Sequence, residues 1–254
     1  MAATDTIPER TVFLGAPYDL APVEAVLDSL RATDGGQPFR YVVTPNVDHL
    51  TRLLRQCELA PFYEHAWQSW CDSHIVRRLG FLFGLRLPHL NGTDVVERIF
   101  GEVLQPGDRI AVIASRPQVL EALRERFPDL DIAGHCPPMG FTEKPAAFAD
   151  CVTFGAGCKA RFLFIAVGAP QSERLALAIR DTPGATGTGL CIGAAMEFIG
   201  GLKQRAPKAM QHLGFEWLHR LVSEPRRLWR RYVLGLAPLL WLFGREIVLR
   251  ARSS

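Results

Sequence analysis

Short, continuous apolar runs alternate along this chain with stretches whose apolar positions recur every three to four residues. FRYVV followed by TPNVDHLTRLLRQC predicts a strand over 40–44, a Pro-Asn turn, and a helix with Leu50, Leu53 and Leu54 on one face. WQSWCDSHIVRRLGFLFG predicts a short apolar approach and then a helix carrying Ile75, Val76, Leu79, Leu82 and Phe83, capped by Asp72 or Ser73. GTDVVERIFGEVL predicts another helix, entered from Asn91 and Gly92. A β-α-β unit follows, with strands over 109–114 and 131–133 around a helix over 117–126. A Pro- and Gly-rich loop leads to a helix over 145–154, then a buried strand over 162–167, a glycine turn and a helix from Gln171. TGLCIGAAMEFIGG predicts a last short strand and glycine turn.

Strands alternating with helices predict an α/β fold, a mostly parallel sheet with helices on both faces. In such folds ligands sit in the crevice at the carboxyl ends of the strands. That directs attention to the turns after the strands: Thr44 to Asn46, Ala114 to Arg116, Val167 to Pro170 and Ile192 to Ala195. Gly168 and Gly193 would let backbone N–H groups approach a phosphate or a sugar, although ordinary strand-to-helix turns use the same residues. Asn46 can cap a helix as well as line a pocket. Asp72, just after an apolar run and just before a helix, can be an N-cap or a carboxylate that takes a proton from a hydroxyl.

Charge changes the picture at the carboxyl end. The chain carries a net +3, but from Lys203 onward eleven basic residues face three acidic ones, a net +8 that leaves −5 for the rest. The composition shifts near Gly201, which divides the chain into a body, residues 1–201, and an appendage, residues 202–254. Within the appendage Arg226 and Arg230, and Arg227 and Arg231, are spaced i, i+4 after Pro225, so one helix would stack them as two pairs. Such a cluster binds phosphate or anionic lipid. The apolar segment 232–249 follows at once, and Trp229 and Trp241 flank its start and middle. Pro238 and Gly244 are expected to break it, and Arg245 and Glu246 interrupt it, so it suits the membrane interface better than a span.

Other classes lose support. The opening MAATDTIPERTVFLG has no apolar signal core, so secretion is not expected. Six cysteines without a CxxC pair suggest reduced thiols. No HExxH-like spacing supports a metal site, and Asp129-x-Asp131 sits where a surface turn is expected. No cofactor is expected: no GxGxxG with a following acid points to a dinucleotide, and no nucleic-acid motif is present. Apolar surface on the body is compatible with a homo-oligomer.

Four blocks carry a resemblance: VVTPNVDHL (42–50), CDSHIVRRLGFLFGLRLPHLNGTDVVERI (71–99), VGAPQSE (167–173) and the long block from Gly193 to Tyr232, with its RAP, GFEWLHRL and EPRRLWRRY elements. With them the chain resembles the bacterial WecG/TagA/CpsF glycosyltransferases, glycosyltransferase family 26. The resemblance implies a Rossmann-like catalytic domain with a helical, membrane-associating C-terminal appendage. It implies inverting, metal-independent transfer of a sugar from a UDP-sugar to a polyprenyl-pyrophosphate-linked sugar, at the cytoplasmic face of the cell membrane. The donor would be of the N-acetylmannosamine, N-acetylmannosaminuronic acid or glucose type, and the product would serve cell-surface or exopolysaccharide biosynthesis.

Carried over by position, the resemblance makes Asp72 the general base and puts Thr44, Asn46, Asn91, Gly168, Gln171 and Gly193 around the substrates. Arg226, Arg227, Arg230 and Arg231 would neutralise pyrophosphate charge at the membrane. Two departures stand out. The family's GAPKQE reads Gly168-Ala169-Pro170-Gln171-Ser172-Glu173 here, and its PER-type segment reads Pro88-His89-Leu90-Asn91, with Arg86 close by but out of register. The altered GAPKQE block also admits a second reading, an inactive relative that acts as a membrane-bound binding or assembly subunit.

Overall fold

The computed structural model describes residues 9–208, 210, 216–223 and 225–252. It opens with a hairpin that the apolar pattern did not announce, β1 (Arg10–Phe13) and β2 (Ala16–Asp19), paired antiparallel. Its two-residue turn places Leu14 at φ 52° and Gly15 at φ 85°, the left-handed pair that a tight hairpin needs.

The main sheet holds β3 (Arg40–Val43), β4 (Gln68–Ser69), β5 (Arg109–Ala114), β6 (Asp131–His135), β7 (Phe162–Ala166) and β8 (Thr188–Cys191). Their order is β4-β3-β8-β7-β5-β6, and every pairing is parallel. The expected α/β sheet is therefore present. β6 runs two residues beyond the expected strand and ends at His135, because its backbone stays paired with β5 out to Ile113.

The strands read as unbroken apolar runs because each feeds two cores. On one face Phe162 and Phe164 pack with Ile110, Val112 and Leu190 beneath the helices α1 (Val23–Arg31), α5 (Gly92–Arg98), α6 (Pro117–Arg126) and α9 (Ala195–Ile199). On the other face Leu163 and Ile165 pack with Ala111, Ile113 and Tyr41 beneath α3 (Ala60–Glu64), α7 (Pro145–Gly157) and α8 (Gln171–Arg180). Alternate side chains of one strand thus serve opposite layers. The helix predicted over 92–104 is an α-helix to Arg98 that continues as a π turn, Ile99–Val103.

A third cluster joins the ends of the chain. Phe13, Leu14, Ala16 and Tyr18 of the hairpin pack with Leu50 of α2 (Val47–Arg55) and Val76 of α4 (His74–Phe81). Buried Asp19 fastens the hairpin to the sheet, receiving Arg10 Nε at 2.6 Å and the Ser69 N–H at 2.7 Å.

Into this cluster the carboxyl-terminal helices insert Leu239 and Leu242. α10 (Glu216–Ser223) precedes α11 (Pro225–Ala251). The expected break at Pro238 and Gly244 does not occur, and α11 is one helix of 27 residues. A proline inside a helix costs about 3 kcal/mol. Docking on both sides of it offsets that cost: Gly235 lies against Thr51, and Leu239, Leu242 and Phe243 pack on the body, with the Phe83 and Phe243 rings 5.5 Å apart. Among the described residues no helix is long and apolar enough to cross a membrane.

Candidate active site

Because all six strands are parallel, their carboxyl ends share one edge, and the helices leaving it diverge. After β3 the chain enters α2, whose Leu53 packs against the second core, whereas after β8 it enters α9 on the first. The gap between β3 and β8 is therefore one crevice of the kind at which such sheets bind ligands.

Thr44 lies at the floor of that crevice. It is buried, and its hydroxyl donates to the Cys191 carbonyl at 3.2 Å, tying the β3 end to the β8 end. Asn46 caps α2: its side-chain oxygen accepts from the Asp48 N–H at 3.1 Å, while His49 Nδ1 accepts from the Asn46 N–H at 3.2 Å. The cap uses only the oxygen of the Asn46 amide. Asn91 caps α5 in the same manner, accepting from the Thr93 N–H at 2.8 Å. A Cβ on the next residue, Gly92, would stand 3.4 Å from Thr44 Cγ2 and 3.9 Å from Ile192 Cγ2, so α5 begins directly over the β3–β8 crevice.

Asp72 comes to the same place from β4. Trp70 N–H donates to the Val43 carbonyl at 2.9 Å, and the Leu90 N–H donates to the Cys71 carbonyl at 3.1 Å, which lays the segment before α5 beside Asp72. Of the two candidate caps of α4, Ser73 holds the position, its hydroxyl accepting from the Val76 N–H at 3.3 Å. Asp72 is half-buried and stands just before that cap.

The glycine turns complete the edge. Gly168 (φ 85°) and Gly193 (φ 54°) both lie in the left-handed region, and a Cβ on either would meet nothing within 4 Å. Glycine is needed there for backbone geometry, and the space beside it is open. Gln171, with its amide turned to suit its neighbours, donates to the carbonyls of Ala169 (3.0 Å) and Gly168 (3.2 Å), so it folds back on its own turn. Ser172 is buried, its hydroxyl donating to the Ile165 carbonyl at 3.2 Å. Both departures in this block therefore brace the turn.

Three residues escaped the sequence reading. His74 and His89 stack with ring centroids 3.7 Å apart on either side of the Cys71–Leu90 contact. Burial, followed by the neighbouring His74, pulls His89 down to about 4, so it is a neutral imidazole near pH 7. The parallel bridge between Cys71 and His89 makes this pair, and no spacing rule encodes it. The third is Glu173, in the first turn of α8. It is 2% exposed, one carboxyl oxygen has no hydrogen-bond partner, and burial raises it to about 7. The run of small and polar residues around it hid a buried acid. Cys71 and Cys191 are held protonated, both chiefly by burial, Cys71 at about 12.

The appendage reaches the crevice rim through Arg205, which bonds Asp94 (2.6 Å) and Glu97 (3.0 Å) of α5, and through Lys203, 2.7 Å from Glu197 of α9. Arg226 is exposed in the first turn of α11, and Trp229 is exposed beside it. The side chains of Arg227, Arg230 and Arg231 lie outside what is described, so the expected stacked pairs are not observed here. Asp131 starts β6 and pairs with Arg109 at 3.2 Å, in keeping with a surface turn. Among the described residues no group of three or more His, Cys, Asp or Glu side chains is placed to hold a metal ion.

The sequence model of the family described as Glycosyl transferase WecG/TagA/CpsF matches residues 11–253, nearly the whole chain.

Proposed function

The chain belongs to the WecG/TagA/CpsF glycosyltransferase family, and from that premise we propose that it is an inverting transferase. It moves a sugar from a UDP-sugar to a polyprenyl-pyrophosphate-linked saccharide at the cytoplasmic face of the membrane. The observation that supports this best is the gathering of Asp72, Thr44 and Asn91 around the β3–β8 crevice.

In this reading the acceptor hydroxyl attacks the anomeric carbon of the donor and its proton passes to Asp72. The bond from the anomeric carbon to the UDP oxygen breaks, and UDP departs with the electron pair. Neutral His89 and its partner His74 wall the base. Thr44 and the Asn46 and Asn91 amides contact the sugars, while the open turns at Gly168 and Gly193 admit the donor. Guanidinium groups, among them Arg226, Arg227, Arg230 and Arg231, balance the charge that develops on the diphosphate in place of a metal.

The outer face of α11 supports membrane attachment. Val233, Leu234, Leu236, Leu240, Trp241 and Ile247 are all exposed, with Arg226 and Arg245 on the same helix. The deciding assay gives the purified protein a short-chain polyprenyl-pyrophosphate-linked sugar and a panel of UDP-sugars, with chelator present. UDP release with one donor is expected. Silence across the panel from protein that still binds UDP favours the non-catalytic reading.

A further inference from the structure

Beyond the strand edge, α4 and the segment after it form an open groove of about 460 Å³ lined by Arg77, Arg78, Phe81, Leu85, Arg86 and Leu87. The chain doubles back to make it. Gly84 turns at φ 74°, the Leu85 N–H donates to the Gly80 carbonyl at 3.0 Å, and Leu87 packs over Gly80, where a Cβ would stand 3.2 Å from Leu87 Cδ1. That return brings Arg86 back alongside the arginines of α4.

The groove has an unusual lining. Among the described residues neither Arg77 nor Arg86 forms a salt bridge, and both are exposed. Phe81 is 71% exposed on the same wall, and Leu82 next to it is 68% exposed. Burial in the core explains neither the guanidinium groups nor the phenyl ring. Together they complement a ligand that is anionic at one point and apolar beside it: guanidinium forks suit phosphate oxygens, and the ring and leucines suit a branched hydrocarbon.

Position narrows the ligand further. Arg77 stands one helical turn past the Ser73 cap and therefore close to Asp72, near enough to act electrostatically on Cys71 and His89. Two residues past Phe81 in the same segment, Phe83 packs on Phe243 of α11, and Arg250 lies over the Phe83 ring at 5.4 Å. The segment that lines the groove thus runs from beside the candidate base to a contact with the helix whose apolar face is exposed. We propose that it holds the diphosphate and the first isoprene units of the lipid-linked acceptor, with the acceptor sugar lying between Arg77 and Asp72. This rests on the glycosyltransferase reading and places the acceptor's diphosphate on the α4 arginines, leaving the carboxyl-terminal arginines to the donor or the bilayer.

The test titrates the full-length protein with farnesyl diphosphate, below the concentration at which it aggregates, against Arg77→Ala/Arg86→Ala protein whose fold is checked by circular dichroism. Wild type is expected to bind, and the double variant at least tenfold more weakly. Farnesol and inorganic pyrophosphate are each expected to bind wild type at least tenfold more weakly than farnesyl diphosphate. No binding by wild type, equal binding by the variant, equal binding of inorganic pyrophosphate, or displacement by UDP would each overturn the assignment. Transfer kinetics separate this idea from the one beneath it. A raised KM for the lipid acceptor with an unchanged donor KM supports the groove. Transfer with both constants unchanged removes the groove and keeps the transferase. Farnesyl diphosphate binding that depends on both arginines, in a protein silent with every donor, keeps the groove and removes the transferase.

Discussion

β7 and α11 are both strongly apolar, yet they spend that character differently. In β7 the side chains of Phe162, Leu163, Phe164 and Ile165 are all buried, alternately in two cores, so the fold accounts for every one of them. In α11 the fold accounts for a single stripe. Leu239 and Leu242 are 8% and 3% exposed, while Leu240 and Trp241 between them are 61% and 53% exposed. Apolar residues that a core consumes speak about folding. Those left over on a helix already docked by another face point to a second environment, and here arginines border them.

The proposed function would put chemistry at the sheet edge and attachment on the outer face of α11, and the contrast can be broken at either end. The largest expected effect is at the edge. Asp72→Asn should lower UDP release by roughly 10²- to 10⁴-fold, the usual worth of a positioned base, without changing the fraction that sediments with vesicles. A variant that keeps its rate would remove Asp72 from the mechanism. Next, Leu242→Ala should destabilise the protein by about 2–5 kcal/mol in denaturant unfolding, as for other buried leucines, because Leu242 fills the cluster under the hairpin. Its neighbour Leu240→Ser should change stability by less than about 0.5 kcal/mol yet weaken sedimentation with anionic vesicles. Equal effects at the two positions would erase the distinction between the faces. Point variants are the sharper tool, since deleting 234–254 would remove Leu239 and Leu242 from the body along with the exposed face.

Glu173 gives the most pH-specific effect. Its folded value is raised from 4.5 to about 7, chiefly by burial. Between those values the folded chain keeps a proton that the unfolded chain has released. Its contribution to stability therefore falls as pH rises through that window and levels off above about 7. Glu173→Gln should be more stable than wild type at pH 8 by about 1–3 kcal/mol, with the difference shrinking toward pH 5. A pH-independent difference would mean that the acid does not carry this proton.

The sequence alone determined a good deal. Apolar runs and helical periods fixed the alternation of strands and helices and hence the parallel sheet, because those periods follow from local backbone geometry. The capping residues at Asn46 and Asn91 and the glycine turns at 168 and 193 were legible for the same reason. The blocks around Asp72 and the arginines pointed to the family, and the family model agrees. Other features depended on residues far apart in the chain. The hairpin was missed because its strands are only four residues each and find their partners in α2, α4 and α11. The continuity of α11 through Pro238 rests on docking, which no local propensity reports. The His74–His89 pair and the arginine groove on α4 required the return of the chain after Gly84 and the bridge between Cys71 and His89. Local rules set which elements form, and contacts between distant segments decided which side chains meet.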